Sequence, residues 1–124
     1  MAVAKMAAVN KSFNEPEETR NMEKGKVEIL NVGDVQLMRA TFQPGWKWSE
    51  CVKPLAGTES CEVAHLIYTI SGHMEVKMND GTNIEMGPGD MTSIPPGHDA
   101  WIVGNEAYTG LDFQGSSNYA KPKS

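Results

Sequence analysis

The chain has 124 residues, a length that fits one domain able to fold on its own core. Eleven Lys and Arg stand against sixteen Asp and Glu, a formal charge of −5, which argues against a nucleic-acid module with its basic face. Hydrophobic residues make up 40% of the chain in short, scattered runs, too many for a disordered polymer and too broken for a membrane span.

The first residues do not read as a signal peptide, because Lys5 interrupts a mildly apolar stretch and Asn10, Lys11 and Ser12 follow it closely. The expectation is a cytoplasmic, soluble protein whose two cysteines stay reduced. Residues 1–24 are polar and charged, with Glu15, Pro16, Glu17 and Glu18 together. Asn14 ahead of that cluster is a possible helix cap, but a loose N-terminal arm, docking on the domain or on a second subunit, is the preferred reading. The domain proper is expected over residues 25–115, and the polar tail over 116–124 is expected to fray.

Between arm and tail, short apolar or alternating runs predict strands at Val27–Asn31, Val35–Gln43, Glu62–Ile70, His73–Met78, Thr82–Met86, Met91–Ile94, Asp99–Val103 and Ala107–Phe113. Gly, Pro, Asn and Asp separate them, and Asn79-Asp80-Gly81 between alternating flanks predicts a tight hairpin. Eight short strands at this spacing, with no helical stripe of useful length, predict an all-β sandwich or barrel.

The spacing of the glycines then resembles the cupin family, in its small single-domain cupin-2 form. Gly89, Pro95 and Gly97 match the second cupin motif, with Asn105 one position late. The first motif survives as a frame: Gly45 and five residues lead to Cys51 and then Lys53, and His65 and six residues lead to Gly72. The resemblance spans Val27 to Phe113 and implies a single double-stranded β-helix, or jelly-roll, barrel that pairs as a homodimer. It also implies a divalent metal inside the barrel, held by two His, a Glu and a later His. At those four places this chain reads Cys51, Lys53, His65 and Ala100, with a longer linker before His65.

The ligand set therefore has to be argued from the residues present. Side chains alternate across a strand, so an inward His65 carries Cys61 and Val63 inward wherever its strand continues. His98 lies two before Ala100, the place of the family's inward His, and Cys51 holds the first His position by count. Cys51, Cys61, His65 and His98 are thus the candidate metal ligands, a set suited to zinc. With only three converging, a coordination position stays open, and iron, nickel or copper enter. Against this, buried cysteines are ordinary core filling, a lone inward His is more often a hydrogen-bonded core residue, and His98 beside Asp99 can simply cap a turn. His73, after the Ser71-Gly72 turn, reads as exposed.

Trp46, Trp48 and Trp101 stand near the expected barrel mouth, where aromatics hold small ligands, although sheet packing or a dimer interface suits Trp46 and Trp101 better. Lys53 offers either an anion contact or a solvated loop lysine. No nucleophilic triad and no paired inward carboxylates are visible, and catalytic residues cannot be named. The leading expectation is a barrel that binds a divalent metal and a small organic molecule, with a metal-dependent enzyme as one form of that reading. The alternatives are a metal-free ligand-binding or sensory barrel and a redox-responsive thiol protein using Cys51 and Cys61. No nucleic-acid or membrane partner is expected.

Overall fold

The computed structural model describes residues 7–115. Nine strands run in chain order: β1 Glu18–Met22, β2 Gly25–Val32, β3 Val35–Phe42, β4 His65–Ser71, β5 His73–Met78, β6 Asn83–Met86, β7 Met91–Ile94, β8 His98–Val103 and β9 Tyr108–Asp112. Two single-turn helices, α1 Trp48–Cys51 and α2 Lys53–Ala56, lie in the crossover between β3 and β4. The strands form two antiparallel sheets, β1-β2-β3-β9-β4-β7 and β6-β5-β8. The all-β expectation holds, and each of the eight predicted runs coincides with or overlaps one of β2 to β9.

The ninth strand was not predicted. Glu18–Met22 pairs with β2 from Glu18↔Ile29 to Met22↔Gly25, so the end of the expected arm is an edge strand. Its alternation is written in charge rather than in apolar residues. Arg20 is buried, and its guanidinium donates to the Glu18 carboxylate two residues earlier on the same face at 2.7 and 3.1 Å. Charged edges of this kind block further strand pairing. Around Asn14 the chain makes a turn, with Glu15 N–H donating to the Ser12 carbonyl, and no helix forms there. Residues 1–6 of the arm and the tail over 116–124 lie outside the described residues.

The core is the space between the inner faces of the two sheets. Along β8 the alternation is regular: His98, Ala100 and Ile102 are buried, while Asp99, Trp101 and Val103 are half-exposed. Along β9, Tyr108, Gly110 and Asp112 are buried in the same rhythm. The predicted hairpin at Asn79-Asp80-Gly81 joins β5 to β6, and Gly81 takes a φ of 94°.

Gly72 shows what one glycine of this frame does. It joins β4 to β5 with a φ of 78°, and a Cβ there would lie 2.5 Å from the Ala107 carbonyl oxygen. A side chain would meet both a disfavoured backbone conformation and a backbone clash. Two isolated bridges, Lys47↔Trp101 and Cys61↔His98, fasten the β3–β4 crossover to β8. No helix among the described residues is long and apolar enough to cross a membrane.

Candidate metal centre and cavity

Cys61, His65 and His98 come together at one end of the space between the sheets. All three are buried, at 2%, 4% and 3% exposure, and one ligand-type atom from each lies within 4.8 Å of the others. Backbone pairing makes the meeting. Cys61 N–H donates to the His98 carbonyl at 2.8 Å, and Gly97 N–H donates to the Cys61 carbonyl at 2.7 Å. His65 opens β4 opposite Ile94 of β7. The Cys61 Sγ and His65 Nε2 atoms are 3.7 Å apart, and the two imidazoles meet edge to face at 5.3 Å between centroids.

Each imidazole is held from behind. His98 Nδ1 lies 2.8 Å from the Pro95 carbonyl oxygen. A carbonyl only accepts, so Nδ1 carries the proton and, in the neutral ring, Nε2 carries the lone pair. His65 Nδ1 lies 2.5 Å from Asp112 Oδ2, which directs Nε2 toward the Cys61 sulfur. An acceptor behind each ring is the arrangement that orients metal-binding histidines. A thiol and two imidazoles so oriented form a group that could hold a metal ion.

Asp112 is 1% exposed. Its Oδ1 accepts the backbone N–H groups of Leu66, Gln114 and Gly115 at 3.2, 3.0 and 3.0 Å. Burial works to raise its pKa, but the contact with His65 and the backbone donors outweigh it, so the carboxyl titrates below its usual range. Gly115 closes the back of this pair: a Cβ there would lie 2.6 Å from both His65 Nδ1 and Asp112 Oδ2. Burial also pushes the Cys61 thiol up to about 12 and the His98 imidazole down to about 4, the latter helped by neighbouring His65 and opposed by the Pro95 carbonyl. Without a cation, the group is neutral at Cys61 and His98.

Beside the histidines lies a small cavity that opens to solvent. His65, His98 and Asp112 line one part of it, while Phe42, Trp46, Trp48 and Tyr108 supply aromatic wall. Phe42 stacks on Trp46 at 3.8 Å and lies 6.2 Å from Tyr108. The Tyr108 hydroxyl bonds Thr69 Oγ1 at 2.9 Å, and burial raises its pKa to about 12. Gly110 makes room for that ring, since a Cβ there would lie 2.7 Å from the Tyr108 hydroxyl oxygen.

Three of the four residues singled out from the sequence are thus brought together, and Cys51 is not. Cys51, placed by its count from Gly45 in the motif frame, lies on the helical turn α1. On a helical turn positions three apart share a face, and Trp48 and Cys51 are both buried from α1. Cys51 packs in the hydrophobic core, and no disulfide joins it to Cys61. Lys53, on α2, pairs with Glu59 at 3.2 Å and does not line the cavity. Trp101 lies outside the cavity under the Lys47 ammonium, whereas Trp46, read from the sequence as packing, forms cavity wall. His73 is exposed, as expected.

Asp112 went unrecognised in the sequence. The signal was available: it shares the parity of Tyr108 and Gly110, which makes it a carboxylate on the inward face of a buried strand.

No family model matches this sequence, and no curated relative matches it. Solved structures do. The chain is similar to a cupin-2 domain protein from Rhodospirillum rubrum, with 18% identity, coverage of 94% of this chain and 72% of that one, and a TM-score of 0.56. It is also similar to the polyketide cyclase RemF from Streptomyces resistomycificus, at 17% identity, 84% and 76% coverage and a TM-score of 0.58. A cupin-like protein from Thermotoga maritima aligns at 16% identity, 79% and 72% coverage and a TM-score of 0.52. At these identities the likeness is one of fold, and it agrees with the motif frame around Gly45, Gly72, Gly89, Pro95 and Gly97: the chain has the cupin fold.

Proposed function

We propose that this protein holds one divalent metal ion with Cys61, His65 and His98 and binds a small organic molecule in the adjoining cavity. The observation that carries the reading is the convergence of three buried ligand atoms within 4.8 Å, two of them on cavity-lining residues. One thiolate and two imidazoles favour zinc over harder cations, with iron, nickel or copper next. Three protein ligands leave a coordination position for water or a ligand oxygen. When bound, the ion supplies Lewis-acid polarisation or an activated water.

The chain's own residues do the rest. Asp112 and the Pro95 carbonyl fix the two rings in the tautomer that presents Nε2. The aromatic wall excludes water and binds the apolar part of the guest. An enzymatic role is compatible with this arrangement, as the cyclase RemF is an enzyme of the same fold.

A homodimer is part of the proposal. Leu66, Tyr68 and Ile70 of β4 are exposed in alternation on the outer sheet face, and Met91 of β7, paired with Tyr68, is exposed beside them. A cytoplasmic location is proposed as well, on the two free thiols.

Elemental analysis of protein purified without a metal-affinity column tests the metal. Near-stoichiometric zinc that His65→Ala abolishes is the expected result, while unchanged stoichiometry in that variant removes His65 from the site. Metal-free protein that stays empty after incubation with zinc overturns the metal reading and leaves a ligand-binding or sensory barrel. Reversible Cys51–Cys61 oxidation with a change in ligand binding would replace it with the redox reading. Light scattering in solution tests the dimer.

A further inference from the structure

One row of the sheet runs past the three donors already described. His98 of β8 stands between two neighbours. On one side Cys61 exchanges both backbone bonds with it, N–H to the His98 carbonyl at 2.8 Å and His98 N–H back at 3.3 Å. On the other side its register partner is Met78 of β5. Asn79 N–H donates to the Gly97 carbonyl at 2.9 Å, so Met78 and His98 form the adjacent, non-bonded pair, whose Cα atoms approach to about 4.5 Å. Residues directly opposite in an antiparallel pair share a face. Met78 therefore lies on the inner face with His98 and Cys61, and it packs half-buried against the core. A thioether, an imidazole and a thiol follow one another along this row, and His65 joins them through its Nε2, 3.7 Å from Cys61 Sγ.

A methionine on an inner face is ordinary core filling, but the pairing of Met78 distinguishes it. Met38 and Met74 line the cavity, yet Met38 stands opposite Ile29 and Asp112, and Met74 opposite Met86 and Ile102. Among the methionines of the described strands, Met78 is the one paired directly with a residue of the metal group.

We infer that Met78 is a fourth donor of this site, and that its thioether serves a soft, monovalent ion, Cu⁺. Thiolate and thioether sulfur select Cu⁺, and imidazole suits copper as well. Zinc leaves that position to water. Binding breaks the Cys61 S–H bond and forms an S–Cu bond, with the proton released to solvent and no electron transferred. One Cu⁺ for one proton keeps the charge of the buried group as it was, whereas a divalent ion adds a positive charge with Asp112 behind His65 as its counter-charge. The inference rests on the three-donor metal site of the proposed function and extends it to a second class of ion.

The test compares the two ions in native protein and in Met78→Leu, a swap of similar volume that a core tolerates. Cu⁺ is titrated anaerobically against the chelator bicinchoninate, and Zn²⁺ against a chromophoric zinc chelator. Cu⁺ should bind the variant at least about 10-fold more weakly, no less than the loss that follows removal of a partner behind a ligand, while zinc affinity stays the same. In protein labelled with [methyl-¹³C]methionine, one equivalent of Cu⁺ should move the Met78 signal and one of Zn²⁺ should not. Met78→Leu, Met38→Leu and Met74→Leu assign the three signals.

Unchanged Cu⁺ affinity in Met78→Leu, an equal loss for both ions, or movement of the Met38 or Met74 signal in place of Met78 overturns the inference. Should Met78→Leu fail to fold, the native methyl signal, assigned by its contacts with neighbouring strand residues, decides in the same way. Zinc binding without Cu⁺ binding sinks the inference and leaves the divalent reading standing. Failure of both ions to bind removes the two together, and Met78-dependent Cu⁺ binding without zinc removes the zinc reading alone.

Discussion

Replacing Asp112 with Asn removes one charge and almost no volume, at a residue 1% exposed. The Asn carbonyl can keep the three backbone N–H groups that now reach Oδ1. The amide, however, would face His65 Nδ1, 2.5 Å from the present Oδ2, and an amide N–H cannot accept the proton on Nδ1. The imidazole then has to shift its proton to Nε2, the atom 3.7 Å from the Cys61 sulfur. A ring so protonated has no lone pair for a cation. Loss of an oriented partner of this kind costs about 10- to 100-fold in metal affinity. One charge-assisted hydrogen bond is lost as well, about 2 kcal/mol of stability, or roughly 6–10 °C in Tm for a domain of this size. Competition for zinc against a chromophoric chelator measures the first effect, and thermal unfolding in EDTA the second. An Asp112→Asn protein that binds zinc as tightly as the native chain would refute the tautomer argument, whatever its Tm.

The cysteines should separate cleanly. Cys61→Ser is expected to lose zinc, whereas Cys51→Ser keeps native stoichiometry and loses about 1–3 kcal/mol for a hydroxyl buried in an apolar core; elemental analysis and urea unfolding read both. Gly72→Ala should cost at least about 2 kcal/mol more than Gly89→Ala. Both have positive φ, but a Cβ at Gly89 meets nothing within 4 Å while one at Gly72 strikes the Ala107 carbonyl oxygen; urea midpoints of the pair decide this. In metal-free protein, His98 refuses below pH 6.5 a proton that the unfolded chain accepts, because burial, aided by neighbouring His65, holds its pKa near 4 against the Pro95 carbonyl and the Asp99 and Glu62 carboxylates. Stability should therefore fall as pH drops from 6.5 toward 4, by at most roughly 3 kcal/mol, and His98→Gln should flatten that slope in urea unfolding at pH 7.5, 5.5 and 4.5.

Local chemistry made most of this architecture legible. Alternating runs broken by Gly, Pro and Asn-Asp-Gly marked eight strands, because the two-residue period of a half-buried strand and the positive φ of tight turns are properties of short segments. The same locality placed His65 and His98, since each lies on a strand whose parity can be counted from neighbours. Glu18–Met22 escaped because an edge strand alternates in charge, and Glu18 with Arg20 carries no apolar signal.

What the tertiary structure alone decided is which side chains meet. Cys51 lies outside the site because α1 turns its side chain into the hydrophobic core, and a count along the motif does not say which way a helical turn faces. Cys61 entered it through a bridge to His98, a pairing 37 positions distant in sequence. Asp112 reached His65 from the far end of the domain, and Trp46 became cavity wall when Phe42 stacked on it. Parity says which way a side chain points, but contact between strands is set by register and sheet order, and those emerge from the packing of the whole chain.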